Sequence, residues 1–175
     1  LADPPARPAP PLVAVPKRDV LTRALDKELL EPAAAAAGLD VPATNIVKAS
    51  DVRTGDSAVT FPAVVKPTRS ELIAADGRLR RFAVTVADTN AELAERIARL
   101  PSARALVQPY VPGDLYAISG VMWKGRLRCS VHQLAQRLWP PRSGVIAHAE
   151  TVDPVPALDE AVGRFLSRFG WDGIF

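Results

Sequence analysis

Soft metal ligands are nearly missing from this sequence: 175 residues hold one cysteine, Cys129, and two histidines, His132 and His148. A lone cysteine excludes an intrachain disulfide and any multi-cysteine zinc site, and it points to a reducing, cytoplasmic setting. No apolar run approaches the roughly 20 residues needed to span a bilayer. The N-terminal stretch has no basic region followed by an apolar run, so neither a membrane partner nor a signal peptide is expected. An excess of charge is lacking too. Twenty-two basic against nineteen acidic side chains leave +3, too little to argue for nucleic acid or a lipid surface. Aromatic residues make up only 6%, so the basic run Arg78-Leu79-Arg80-Arg81 has no stacking partners and reads as a solvated hairpin face. No phosphate loop with a Gly-Lys-Ser/Thr ending, no dinucleotide fingerprint of three spaced glycines and no Gly-x-Ser-x-Gly elbow is present. The chain starts on Leu1 and stops on Ile174-Phe175, and we expect it to be cut from something longer.

What is present divides by proline and by periodicity. Six of the 17 prolines fall in residues 1–16, which predicts an extended lead-in or linker. From Lys17 the apolar spacing turns helical, and Asp26 offers an N-cap for a second helix ending at Gly38, with a kink or break expected at Pro32. Residues 41–47 read as a strand, as do 61–67. Asp76-Gly77 reads as a hairpin turn between Leu72-Ile73-Ala74 and a long strand from Leu79 to Val86. Asp88-Thr89-Asn90 caps a helix carrying Leu93, Ile97 and Leu100. Strands follow at 105–111, 115–123, 126–134 and 145–152, then an amphipathic helix at 157–169 and the start of another strand. This order predicts an α+β chain of two small lobes with largely antiparallel sheets, one over residues 17–113 and an incomplete one over 114–175.

Lysine is scarce within the basic set, five against 17 arginines, so each lysine position matters. Lys66 ends the apolar strand Ala63-Val64-Val65, where alternation turns it away from Val65. Burying its ammonium needs an anionic partner or an escape to water, so a solvated strand end and a phosphate-facing lysine both satisfy the pattern. Lys27 opens a helix, where the dipole opposes a cation. Solvation and anion binding are again both open. In Gln108-Pro109-Tyr110-Val111, the proline leaves backbone groups outside the ladder. That suits either an edge strand or a planar ligand bonded to the peptide groups, with Asp114 close by. Arg137 and Arg142 flank Trp139-Pro140-Pro141, with His132 upstream, and a guanidinium on such a loop suits carboxylate or phosphate oxygens. Cys129, mid-strand, reads as a buried structural thiol.

Together these segments resemble the ATP-grasp superfamily, whose members join a carboxylate to an amine or similar nucleophile through an acyl phosphate. The likeness spans residues 17–175. Asp26-Lys27 followed by a helix and Gly38-Leu39-Asp40-Val41-Pro42-Ala43-Thr44 is similar to the family's Asp-Lys, helix, Gly-x-x-x-Pro-x-Thr opening. Residues 61–67 resemble its second lysine strand, residues 108–113 its hinge strand, and 139–144 a proline and glycine loop of its carboxylate-amine ligase branch. The resemblance implies that Lys27 and Lys66 hold ATP phosphates and that Gln108, Pro109, Tyr110 and Val111 meet adenine. It also implies that Asp114 approaches the ribose; Arg137, from its place beside the proline loop, is the residue expected to be catalytic. ATP and magnesium are the implied cofactors, with the metal ligands expected beyond residue 175 and none within the chain. Small carboxylate and amine substrates are the implied partners, and a homodimer stays open. Departures are Pro109 where an acidic residue is common, and a 68–81 hairpin with one glycine, Gly77, in place of a glycine-rich lid. Closure over ATP is then expected from Thr68, Arg69 or Ser70. The cut chain itself is expected to turn over little. A non-catalytic nucleotide-binding or interaction module with the same fold is the alternative, and a bicarbonate-using enzyme is a further one.

Overall fold

The computed structural model describes residues 14–54, 59–73, 77–100 and 104–175. Helix α1 (Arg18–Ala24) runs into α2 (Lys27–Ala36), whose N-cap Asp26 accepts the Glu28 N–H at 3.1 Å. That bond satisfies one of the amide groups a helix start leaves unpaired. Sequence predicts a kink or a break at Pro32, and α2 is a single element across it, which removes the break. The ring forfeits the bond to the Glu28 carbonyl near the helix start, and the turns beyond it continue. Strand β1 (Asn45–Lys48) is shorter and later than expected, and α3 (Ala49–Thr54) follows where no helix is expected. Ala49 and Val52, one helical turn apart, are both buried, which gives α3 its reason.

Strands β2 (Ala63–Lys66), β3 (Glu71–Ile73), β4 (Leu79–Arg81) and β5 (Thr85–Ala87) come next. Asp76 of the expected turn, with Ala74, lies outside the described residues. The single long strand expected from Leu79 to Val86 is split: β4 pairs with β3, while β5 crosses to pair with β2 and buries Val86 and Ala87. Helix α4 (Asn90–Ala98) starts in a reciprocal cap. Thr89 Oγ1 accepts the Glu92 N–H at 3.3 Å, and the Glu92 carboxylate accepts the Asp88 N–H at 3.2 Å. The remaining elements are β6 (Arg104–Pro109), β7 (Tyr116–Trp123), β8 (Arg126–Trp139), β9 (Val145–Val152), α5 (Pro156–Phe169) and β10 (Gly173–Ile174). The fold is α+β, with antiparallel sheets in the orders β1-β6-β2-β5 and β10-β7-β8-β9 and a small β3-β4 ribbon.

Helices α3 and α4 cover one face of the first sheet. Leu93 and Ile97, both 0% exposed, pack with Val47, Val52, Ala63, Val65, Ala105 and Val107. Because a strand alternates sides, Val64, Lys66, Leu106 and Gln108 are turned to the opposite face. The second sheet carries α5 on one face over Met122, and His132, 1% exposed, fastens it there. His132 Nδ1 meets Tyr116 Oη at 2.7 Å and accepts the Val155 N–H at 3.3 Å. The ring proton therefore sits on Nε2, which donates to Asp159 Oδ1 at 2.8 Å. This bond from His132 also holds the Asp159 carboxyl below the usual carboxylate range. With both nitrogens engaged in packing α5, His132 is a structural group. Ser130 and His132 face α5, so Cys129 faces outward and is exposed, contrary to the buried thiol expected.

The two sheets are joined through α1 and α2 as well as through residues 110–115. Arg164 Nε and Arg168 Nη1 on α5 donate to the Ala37 and Ala36 carbonyls at 3.2 and 2.7 Å, closing the C-terminal end of α2. Arg23 lies 4.6 Å from the centre of the Phe169 ring. The end of the proline-rich stretch is packed, where sequence expects a loose lead-in. Pro16 is buried, and the Ala14 carbonyl accepts the Ile174 N–H at 3.1 Å. Among the described residues no helix is long and apolar enough to cross a membrane. Leu93→Ala should lower the unfolding free energy by about 3 kcal/mol, since it removes a fully buried side chain from between a helix and a sheet. Urea unfolding measures this, and a loss under about 1 kcal/mol would contradict the packing described.

Candidate functional site

Sequence places Lys27 and Lys66 on separate elements, and the loop after β2 joins them. The Lys27 N–H donates to the Thr68 carbonyl at 3.1 Å, Lys27 Nζ donates to Ser70 Oγ at 2.8 Å, and Arg69 pairs with Asp26 at 3.2 Å. Three bonds therefore tie residues 68–70, which sequence expects to close over a ligand, to the first turn of α2. The two ammonium groups come within each other's field. Burial first, and then the Lys66 ammonium, lower the pKa of Lys27, while Asp26 and Glu31 act against them. Burial also lowers Lys66, with Glu31 acting to raise it. A cleft that holds two partly desolvated cations and one shared carboxylate favours a further anion.

Beside Lys66 lies a cavity of about 450 Å³ between the two sheets, lined by Val64, Gln108, Tyr110, Asp114, Leu138 and Arg142 among others. Its back wall is the end of β6. The Tyr110 N–H is taken by the Pro62 carbonyl at 2.8 Å, so alternation turns the Pro109 carbonyl and the Val111 N–H the other way. On that side β1 has already ended, its last pair on β6 being Asn45 with Val107. Among the described residues, a carbonyl and an amide two residues apart thus have no ladder partner, an arrangement that suits a planar donor–acceptor ligand. Gln108, 3% exposed, closes the floor. Its Nε2 donates to Glu31 Oε1 at 2.8 Å and to Thr44 Oγ1 at 2.6 Å.

The loop after β8 forms the roof. Gly144 is required there, because a Cβ would lie 2.0 Å from the Trp139 carbonyl carbon. That tight loop holds Arg142 at φ 71°, over the Tyr110 ring at 5.5 Å and paired with Asp88 at 3.2 and 3.0 Å. Arg142 therefore bridges the two sheets across the cavity, and it holds the Asp88 carboxyl below its usual range, first through their hydrogen bond.

Of the residues singled out from sequence, Lys66, Gln108, Pro109, Tyr110, Val111 and Asp114 line this one cavity. Lys27 adjoins it through Lys66 and is not in the lining. Arg137 is exposed on β8 and also outside the lining, whereas Arg142 is in it. Adjacent strand residues point to opposite faces, and Leu138 takes the inward position. Glu31, Thr44 and Asp88 were not expected at the site. The signals available were the one-turn spacing of Glu31 from Lys27 and the place of Thr44 at the end of the Gly-x-x-x-Pro-x-Thr segment; Asp88 reads only as part of a helix cap.

No family model and no curated protein sequence matches the chain. Solved structures do. An L-amino acid ligase from Bacillus licheniformis aligns with a TM-score of 0.60 at 16% identity over 86% of this chain and 35% of its own. The VanG D-Ala:D-Ser ligase from Enterococcus faecalis gives 0.67 at 15% identity over 93% of this chain and 50% of its own. A D-alanine–D-alanine ligase from Bacillus anthracis complexed with ATP gives 0.61 at 13% identity over 92% and 53%. The chain spans between about a third and about half the length of these ligases. A further match, PsnB, is described as an ATP-grasp ligase and aligns over 89% of this chain with a TM-score of 0.53. With helices and antiparallel sheets in the same arrangement, the chain has the ATP-grasp fold.

Proposed function

We propose that the intact protein is an ATP-dependent ligase that joins a carboxylate to an amine, and that this chain supplies much of its nucleotide site. The observation that carries the reading is the cavity with Lys66 at one end and, at the other, the Pro109 carbonyl and Val111 amide, which have no partner among the described residues. Such a site suits a ligand with a flat hydrogen-bonding base and a polyanionic tail. In this reading Val111 N–H and the Pro109 carbonyl take the adenine edge, and Asp114 takes the ribose. Lys27 and Lys66 take the triphosphate, and Arg142 fills the guanidinium role expected of Arg137. The structural neighbours support it, one of them having been solved with ATP and another with magnesium and ADP.

The chemistry would run in two displacements. A substrate carboxylate oxygen attacks the γ-phosphorus, the bond to the β-phosphate oxygen breaks, and ADP leaves. The amine then attacks the acyl carbon, inorganic phosphate leaves, and the amine loses a proton. The chain's lysines act by binding the charge that gathers on the transferred group. Among the described residues no group of three or more His, Cys, Asp or Glu side chains could hold a metal, so no step is assigned to magnesium on this chain.

Lys66→Met should lower ADP formation in the presence of carboxylate and amine by about a hundredfold or more, and unaltered turnover would remove the phosphate role. Proton linkage gives a second check. Each lysine has a lowered pKa in the free protein, and a bound triphosphate raises it again. Between the two values binding takes up protons, so ATP affinity should fall as pH rises toward the ordinary lysine value of 10.5. Calorimetry in alkaline buffers of differing ionisation enthalpy measures the uptake. Binding without it would put the phosphates elsewhere.

A further inference from the structure

We infer that Glu31 and Thr44 are positioning residues that lock the Gln108 amide so that it offers the cavity an acceptor. Through it they select a purine bearing a 6-amino group. This rests on the nucleotide reading above. The two sides of an amide differ only in O and N, so its orientation is decided by its partners. Glu31 can only accept, and its carboxylate lies 2.8 Å from the amide nitrogen. Thr44 Oγ1 spends its proton on the Pro42 carbonyl at 3.0 Å, so toward Gln108, at 2.6 Å, it also accepts. Both amide hydrogens are therefore committed, and a flipped amide would set its oxygen against a carboxylate. Among the described residues no donor reaches Gln108 Oε1, and Gln108 lines the cavity beside Pro109 and Val111.

The consequence is a lone acceptor next to the hinge. A 6-amino group carries two hydrogens, one for the Pro109 carbonyl and the other for Gln108 Oε1. Sequence alone identifies Gln108, but Glu31 and Thr44 lie 77 and 64 residues away from it and come to it only through the fold. A second cavity of about 370 Å³ lies behind this wall, lined by Glu31, Thr44 and Leu106.

The test compares ATP with purine riboside triphosphate, which lacks only the 6-amino group, by equilibrium binding to the intact protein. Their affinity ratio cancels whatever Glu31 does to the triphosphate through the lysines. The wild type should prefer ATP. Glu31→Gln and Thr44→Val should each cut that preference by roughly fivefold, about the worth of one hydrogen bond at a buried neutral group. Thr44→Ser, which keeps the hydroxyl, should restore it. Thermal melts identify any variant that fails to fold, and Thr44→Ser against Thr44→Val then decides. Preference for ATP that both Glu31→Gln and Thr44→Val leave intact overturns the inference and spares the nucleotide site, as does equal binding of both nucleotides by the wild type. No binding of either nucleotide overturns both.

Discussion

Two ammonium groups held in one half-buried cleft repel each other and lose hydration, and the rest of the site is arranged around that strain. The loop of residues 68–70 is tied to the first turn of α2 by a backbone bond, a lysine–serine bond and an ion pair, so the lysines cannot simply separate. Glu31 offsets part of the repulsion from one turn along α2. It is held by Gln108, so the compensating charge stays in place, and the same carboxylate serves the lysines on one side and the amide on the other.

Strand alternation makes the core and the cleft two sides of the same residues. On β2, Val65 packs under α4 while Lys66 faces the cavity. On β6, Val107 is in the core while Gln108 is at the site. A shift of one residue in either register would bury a lysine and expose a valine, so the fully buried Leu93 and Ile97 enforce the geometry of the charged face. Helix α2 carries this order to the second sheet. Its first turn holds Lys27, and its last carbonyls are capped by Arg164 and Arg168 of α5, which His132 fastens to β8. Across the cavity mouth, Arg142 and Asp88 make a second, more exposed bridge.

Much of the fold was legible because its signals are local. The Asp26 and Thr89 caps and the helical spacing of Leu93 and Ile97 each depend on neighbours within one turn of chain. Where pairing over a distance decides, the reading fell short. The strand expected from Leu79 to Val86 is divided because β5 gains more by burying Val86 and Ala87 against β2 than by extending the hairpin. Cys129 faces out because His132 sets which face of β8 meets α5.

The amino-acid order by itself determined which residue types were available: scarce lysines, one at a helix start and one at a strand end, and a proline closing the strand that holds Gln108. It also determined the local elements that carry them, since caps, turns and alternation act over a few residues. Only the tertiary structure decided that Lys27 and Lys66 share a cleft and that Arg142, not Arg137, reaches the cavity. The same holds for Glu31 and Thr44 at Gln108. Those contacts join positions tens of residues apart, and whether they form depends on how sheets and helices pack as whole bodies, which no spacing along the chain records.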